Sequence, residues 1–89
     1  MPRVVITHAV ADVDRWLGGK AERAAAIESG SGSNVVDHVA QDGSNTIAIT
    51  ADVSDISQLE AMLAAPSPEV LAAMEAHGVV PPIVVYVEA

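Results

Sequence analysis

Two periodicities alternate along the chain. Residues 3–10, RVVITHAV, are rich in β-branched side chains and predict a strand. Apolar positions then space out to Val13, Trp16, Leu17, Ala21, Ala24 and Ile27, which share one face of a helix. Asp12 stands where an N-cap is needed, and Asp12 and Asp14 favour that helix end through the dipole. The run Ser29-Gly30-Ser31-Gly32-Ser33 stops the helix and predicts a loop. Residues 34–41, NVVDHVAQ, and 45–52, NTIAITAD, read as two strands folded about Asp42-Gly43-Ser44, a strong short-range hairpin signal. Ser54 or Asp55 caps a second helix that turns Ile56, Leu59, Met62 and Leu63 inward. Pro66 ends that piece. Ser67-Pro68-Glu69 starts another, with Ser as cap, Pro in the first turn and a carboxylate behind it. Val70, Leu71 and Met74 form its apolar side, and Gly78 is its stop. Pro81-Pro82 redirects the chain into a last strand over 83–88, IVVYVE.

The order β-α-β-β-α-β predicts an α+β domain over residues 1–89. Its architecture is ferredoxin-like: a four-stranded antiparallel sheet with helices on one face. A sheet with one wet face alternates apolar and polar residues. The first and last strands do not alternate. Val4, Val5 and Ile6 are consecutive, and so are Ile83, Val84, Val85, Tyr86 and Val87. Helices cover one face only, so the other is expected to be hidden by a second copy in a homodimer. An apolar ligand or a different protein on that face is the rival occupant.

Composition narrows the function classes. The chain has 89 residues and no Cys, so disulfides, thiolate chemistry and Cys-based metal sites are excluded. Phe is absent as well, and Trp16 and Tyr86 are the only aromatics. All four cations, Arg3, Arg15, Lys20 and Arg23, precede Ala24, and nine carboxylates follow it. Nucleic acids and anionic membrane surfaces need clustered cations, so neither is an expected partner. The start carries no secretory signal pattern and no apolar run is long enough to span a bilayer, so cytoplasm is the expected location.

The stretch from His8 through Ala11-Asp12-Val13-Asp14-Arg15-Trp16-Leu17 resembles the opening of dimeric α/β-barrel proteins. The stretch Ser67–Val79, closed by a β-rich strand ending in Glu88, resembles small members of the same superfamily, related to antibiotic-biosynthesis-monooxygenase-like proteins. The resemblance implies a dimeric α/β barrel. It implies cofactor-independent quinone-forming oxygenation, haem degradation, polyketide cyclisation or lactone isomerisation, or no catalysis at all. His8 stands where haem-degrading members place an Asn, so the chain departs from their pattern and no cofactor is expected. The quinone-forming members rely on Asn, Trp, Tyr and Arg near the pocket, and this chain supplies that set only in part.

The residues themselves offer three histidines. His8 shares a strand face with Val4, Ile6 and Val10, where apolar neighbours shift an imidazole's pKa and fit it for general base work. A core His satisfied by a backbone carbonyl is the structural alternative. Counting back from the Asp-Gly turn sets His38 roughly opposite Ile49, on a face shared with His8, so the two are the candidate catalytic pair. Trp16, Tyr86 and His77 are the candidate binding residues. A metal would need Asp37, His77 or Glu88 as a third ligand, and no ligand-like spacing supports one. Two functions are therefore expected. The first is a small cofactor-independent enzyme acting on an apolar molecule between sheet and helices. The second is a non-catalytic ligand-binding or structural homodimer.

Overall fold

The computed structural model describes residues 2–89. In chain order its elements are β1 (Arg3–Val10), α1 (Val13–Gly18), α2 (Lys20–Ser29), β2 (Gly32–Val39), β3 (Thr46–Val53), α3 (Ile56–Ala64), α4 (Pro68–Ala76) and β4 (Val79–Val87). The strands form one antiparallel sheet in the order β2-β3-β1-β4, with both inner strands contributed by β1 and β3. This is the expected ferredoxin-like topology. No helix among the described residues is long and apolar enough to cross a membrane.

The caps act where the sequence places them. The Asp12 carboxylate accepts from the N–H groups of Asp14 and Arg15, Asp55 from Gln58, and Ser67 from Val70. Each satisfies a donor that the first helical turn leaves unpaired. The first helix is not continuous, however. Gly18-Gly19 divides it, and the Gly19 N–H turns back to Trp16 and Leu17 carbonyls. Two adjacent glycines carry the weakest helix propensity of any non-proline pair, so the break falls there. Three expected core residues stay outside: Leu17, Ala21 and Leu71 are all exposed.

The core follows strict alternation. Val4, Ile6, His8 and Val10 of β1 point toward the helices, as do Ile47, Ile49, Ala51 and Val53 of β3. Trp16 and Leu59 are the buried residues the helices send down to meet them. Neither α2 nor α4 has a fully buried residue. The helical layer is therefore lightly anchored on a firm sheet.

Two irregularities distort the strands. β4 begins at Val79, earlier than expected, and runs through Pro81-Pro82. Proline lacks the N–H that a ladder needs, and β4 is an edge, where that lack is tolerated. Opposite this segment, His8 alone on β1 faces Pro81, Pro82 and Ile83, between the pairs Thr7–Val84 and Ala9–Val80. β2 also starts early, at Gly32, and has its own bulge between Ser33 and Val36, with Asn34 at φ 53°. Asparagine is among the few residues that adopt this left-handed conformation with modest strain.

Candidate functional site

A cavity of about 130 Å³ lies between the sheet and the helices. Its walls are mostly apolar, including Ile6, Ile49, Leu59, Met62 and Met74, but five polar side chains enter them. These are His8, Trp16, Glu22, Arg23 and His77.

His8 comes from β1 and is buried. Its Nδ1 lies 2.8 Å from the Ala9 carbonyl oxygen. A carbonyl only accepts, so Nδ1 carries the proton in this bond, and neutral His8 keeps a lone pair on Nε2. Burial pushes the His8 pKa below its ordinary value of 6.5. The Ala9 hydrogen bond opposes that shift, and the nearby Arg23 charge adds to it. His8 is thus an uncharged base at neutral pH. The unfolded chain takes up this proton from about pH 6.5 downward while the folded protein resists it. Stability must therefore fall as pH drops below 6.5, by at most about 1.4 kcal/mol per pH unit for one group. Urea unfolding at pH 7.5, 6 and 5 checks this: the wild type should lose stability over that interval relative to His8→Gln. Parallel losses in the two proteins would count against a buried neutral His8.

Trp16 is fully buried, and its ring stands edge-on to His8, with centroids 6.4 Å apart and planes at 84°. The Arg23 guanidinium lies over the Trp16 ring, 3.9 Å from its centroid, within cation–π range. Arg23 also reaches Asp37 on β2, with Nη2–Oδ2 at 2.8 Å and Nε–Oδ1 at 3.4 Å. The pair is almost wholly buried, with side-chain exposures of 9% and 4%. A buried pair of this kind holds its geometry through a two-pronged contact between planar groups.

Two donors remain. Among the described residues, neither Trp16 Nε1–H nor Arg23 Nη1–H has a hydrogen-bond partner, although both atoms are buried. Such an orphan costs about 1–3 kcal/mol, so native proteins keep few without a reason.

At the cavity's other end, His77 caps α4 and its Nε2 lies 3.3 Å from Glu22 of α2. The ring sits against Gly19, where any Cβ would overlap it. Gly19 thus serves both the helix break and the seat of His77. Arg15 secures the same end of α4, donating through Nε to the Ala76 carbonyl and through Nη2 to that of Glu75, both at 2.7 Å.

The structure brings together three of the expected site residues, His8, Trp16 and His77. It separates the other two. The β2–β3 register pairs His38 with Ala48 and Asp37 with Ile49, so His38 occupies the opposite sheet face from His8. Side chains alternate with period two, so a shift of one residue exchanges the faces. The expected His8–His38 pair does not form. Asp37 takes the inward position instead. Tyr86 pairs with Val5 and also lies on the outer face, 58% exposed. Arg23 and Asp37 were not among the expected site residues. Signals for both were present: Arg23 follows Trp16 by two helical turns, and Asp37 shares its strand parity with Val35. Among the described residues, no three His, Asp or Glu side chains gather as metal ligands.

No family model matches the chain, and no curated protein does. Solved structures do. A Bordetella bronchiseptica protein, provisionally assigned by its name to the antibiotic biosynthesis monooxygenases, superposes with a TM-score of 0.73 at 10% identity, covering 99% of this chain and 94% of that one. A structure named antibiotic biosynthesis monooxygenase gives 0.67 at 13% identity, with coverage of 100% and 97%. A protein from Deinococcus radiodurans, named provisionally for the same activity, gives 0.61 at 18% identity, with coverage of 100% and 92%. The resemblance drawn from the residues thus holds at the level of fold. The chain is a ferredoxin-like α+β protein with the architecture of structures solved under the antibiotic biosynthesis monooxygenase name.

Proposed function

We propose that the protein is a small cofactor-independent enzyme that removes a proton beside an oxygen atom of an apolar small molecule. One observation carries the reading: His8, an uncharged buried base, lines one mostly apolar cavity together with Trp16 and Arg23, each of which keeps one buried N–H without an acceptor. In the step, a substrate O–H or α-C–H proton passes to His8 Nε2. The electron pair left behind collects on the substrate oxygen, where Trp16 Nε1–H and Arg23 Nη1–H stabilise it. Oxygenation, cyclisation and isomerisation all admit this opening step, and the first is the activity for which the structural neighbours are named.

The test is deuterium uptake from D₂O at the α-carbon of small aryl ketones such as acetophenone, followed by proton NMR. The wild type should catalyse saturable exchange, and His8→Ala should lower the rate about a hundredfold or more. Exchange no faster than that given by free imidazole at equal concentration would remove the reading.

A homodimer is part of this proposal. The outer sheet face carries Val36, Val80, Val84 and Tyr86, all exposed. Burying such a patch against its own copy uses a two-fold contact of like surfaces. Light scattering at micromolar concentration should give twice the chain mass of 9.1 kDa. A monomer at that concentration contradicts it.

A further inference from the structure

A base works best when side chains that are themselves fixed hold it within about 0.5 Å of its working place. His8 gets little of that support from its own strand. Its Nδ1 is tied to the Ala9 carbonyl, one residue away. On the β4 side it faces Pro81, Pro82 and Ile83, where the register shifts and two prolines have no N–H to offer. Its ring stands instead against Trp16, with centroids 6.4 Å apart. Trp16 lies under the Arg23 guanidinium, 3.9 Å from its centroid, and two bonds tie Arg23 to Asp37 of β2. We infer that Asp37, which takes no place in the cavity wall, is a positioning residue for His8 and acts through Arg23 and Trp16. This rests on the reading that His8 is the base.

The contacts are stiff for two reasons. Arg23 and Asp37 meet in a two-pronged contact between planar groups, with side-chain exposures of 9% and 4%, so water competes little for either. The guanidinium is also flat, so one group both pairs with a carboxylate and covers an aromatic ring. A Lys ammonium is a point charge on a flexible stem and cannot do both. No residue of α2 is fully buried, and this pair fastens that helix to β2.

The same contacts carry charge toward His8. The two ring distances put the guanidinium within roughly 10 Å of the imidazole, where one charge moves another group by about a pH unit at an effective dielectric of about 20. Arg23 adds to the lowering of the His8 pKa, and Asp37 behind it offsets part of that charge. Glu22 and His77 are the other titratable groups on the cavity wall, and they lie 3.3 Å from each other. The wall residues from β3, β4, α3 and α4 are apolar. Two variants therefore act in opposite senses. Asp37→Asn leaves Arg23 uncompensated and lowers the His8 pKa further. Arg23→Gln removes the cation and raises it. Mere loosening would admit water and relieve the burial of His8, which raises its pKa in both.

The experiment follows the His8 ring by NMR through a pH titration, its signals assigned by their loss in His8→Gln. The pH dependence of ketone deuterium exchange is measured beside it. Trimethylamine N-oxide keeps the two variants folded. The His8 midpoint should fall by about half a pH unit or more in Asp37→Asn and rise by about as much in Arg23→Gln. The acid limb of the exchange profile should move with it. A midpoint that stays in place, or that rises in both variants, would overturn the inference. Arg23→Lys keeps a cation beside Asp37, so it tests the geometry in a protein that retains its ion pair. Its cross-relaxation between the His8 and Trp16 rings should weaken, and kcat for exchange should fall about tenfold with KM little changed. Wild-type values of both would overturn the inference as well. A wild type without exchange whose His8 midpoint moves as expected would sink the enzyme reading and leave the positioning standing. Exchange with an unmoved midpoint would do the reverse.

Discussion

Asp37→Ala should lower folding stability by about 3–5 kcal/mol, because it strands the Arg23 guanidinium in the interior without its counter-charge. A chain of 89 residues has on the order of 4–13 kcal/mol to lose, so the variant should sit near the edge of folding. Denaturant midpoints measure the loss, and a value under about 1 kcal/mol would show that water reaches the pair and screens it. The companion variant separates structure from function. Replacing both partners, Arg23→Met with Asp37→Leu, removes the buried charges together and should recover much of the stability, since apolar side chains often serve a core as well as an ion pair does. The same double variant should lose much of the deuterium exchange, since it removes Arg23 from the cavity wall. A pair that a core can do without, yet which sets Arg23 on the cavity wall, has its explanation in what the cavity does.

Trp16→Ala should cost a similar 3–5 kcal/mol, for a different reason. Trp16 is fully buried, and it is the largest side chain that the helices contribute to the core. Truncation removes its contacts with the sheet and the surface on which Arg23 rests, and it opens a void that the lightly anchored helices fill only partly. Thermal or denaturant unfolding gives the magnitude. Trp16→Phe keeps most of the packing and the ring face while deleting the indole N–H. It should therefore retain much of the stability while losing part of the deuterium exchange. If Trp16→Phe were as unstable as Trp16→Ala, the indole N–H would have a structural partner and would not be a ligand donor.

The features written in local patterns were readable before the structure. The β1 and β3 runs, the Asp42-Gly43 hairpin and the caps at Asp12, Asp55 and Ser67 each depend on a few neighbouring residues, and each appears where expected, whereas β2 and β4 start early. His8 and Trp16 were also readable, because each shares a face with apolar neighbours. What escaped depends on counting across a turn or on pairing between distant elements. His38 and Asp37 are adjacent, and only the β2–β3 register decides which enters the core. The Arg23–Asp37 pair joins a helix to an edge strand, and the period of each element turns its residue inward without saying which partner it meets. The division at Gly18-Gly19 was visible as two glycines, but the apolar spacing continues across them and outweighs the signal.

The clamp on α4 has a mechanical consequence. Arg15 and Glu22 hold this helix at its C-terminal end, through the Glu75 and Ala76 carbonyls and His77. Its other end begins after Pro66 and carries only its own cap at Ser67. A rod fixed at one end and lightly packed along its length pivots there. Molecules should enter the cavity beneath the Ser67 end, by a swing of α4 that leaves every strand pairing intact. Amide exchange would record the swing as early loss of protection in α4 while β1 and β3 stay closed. Simultaneous exchange of all three would mean that entry requires opening the sheet itself.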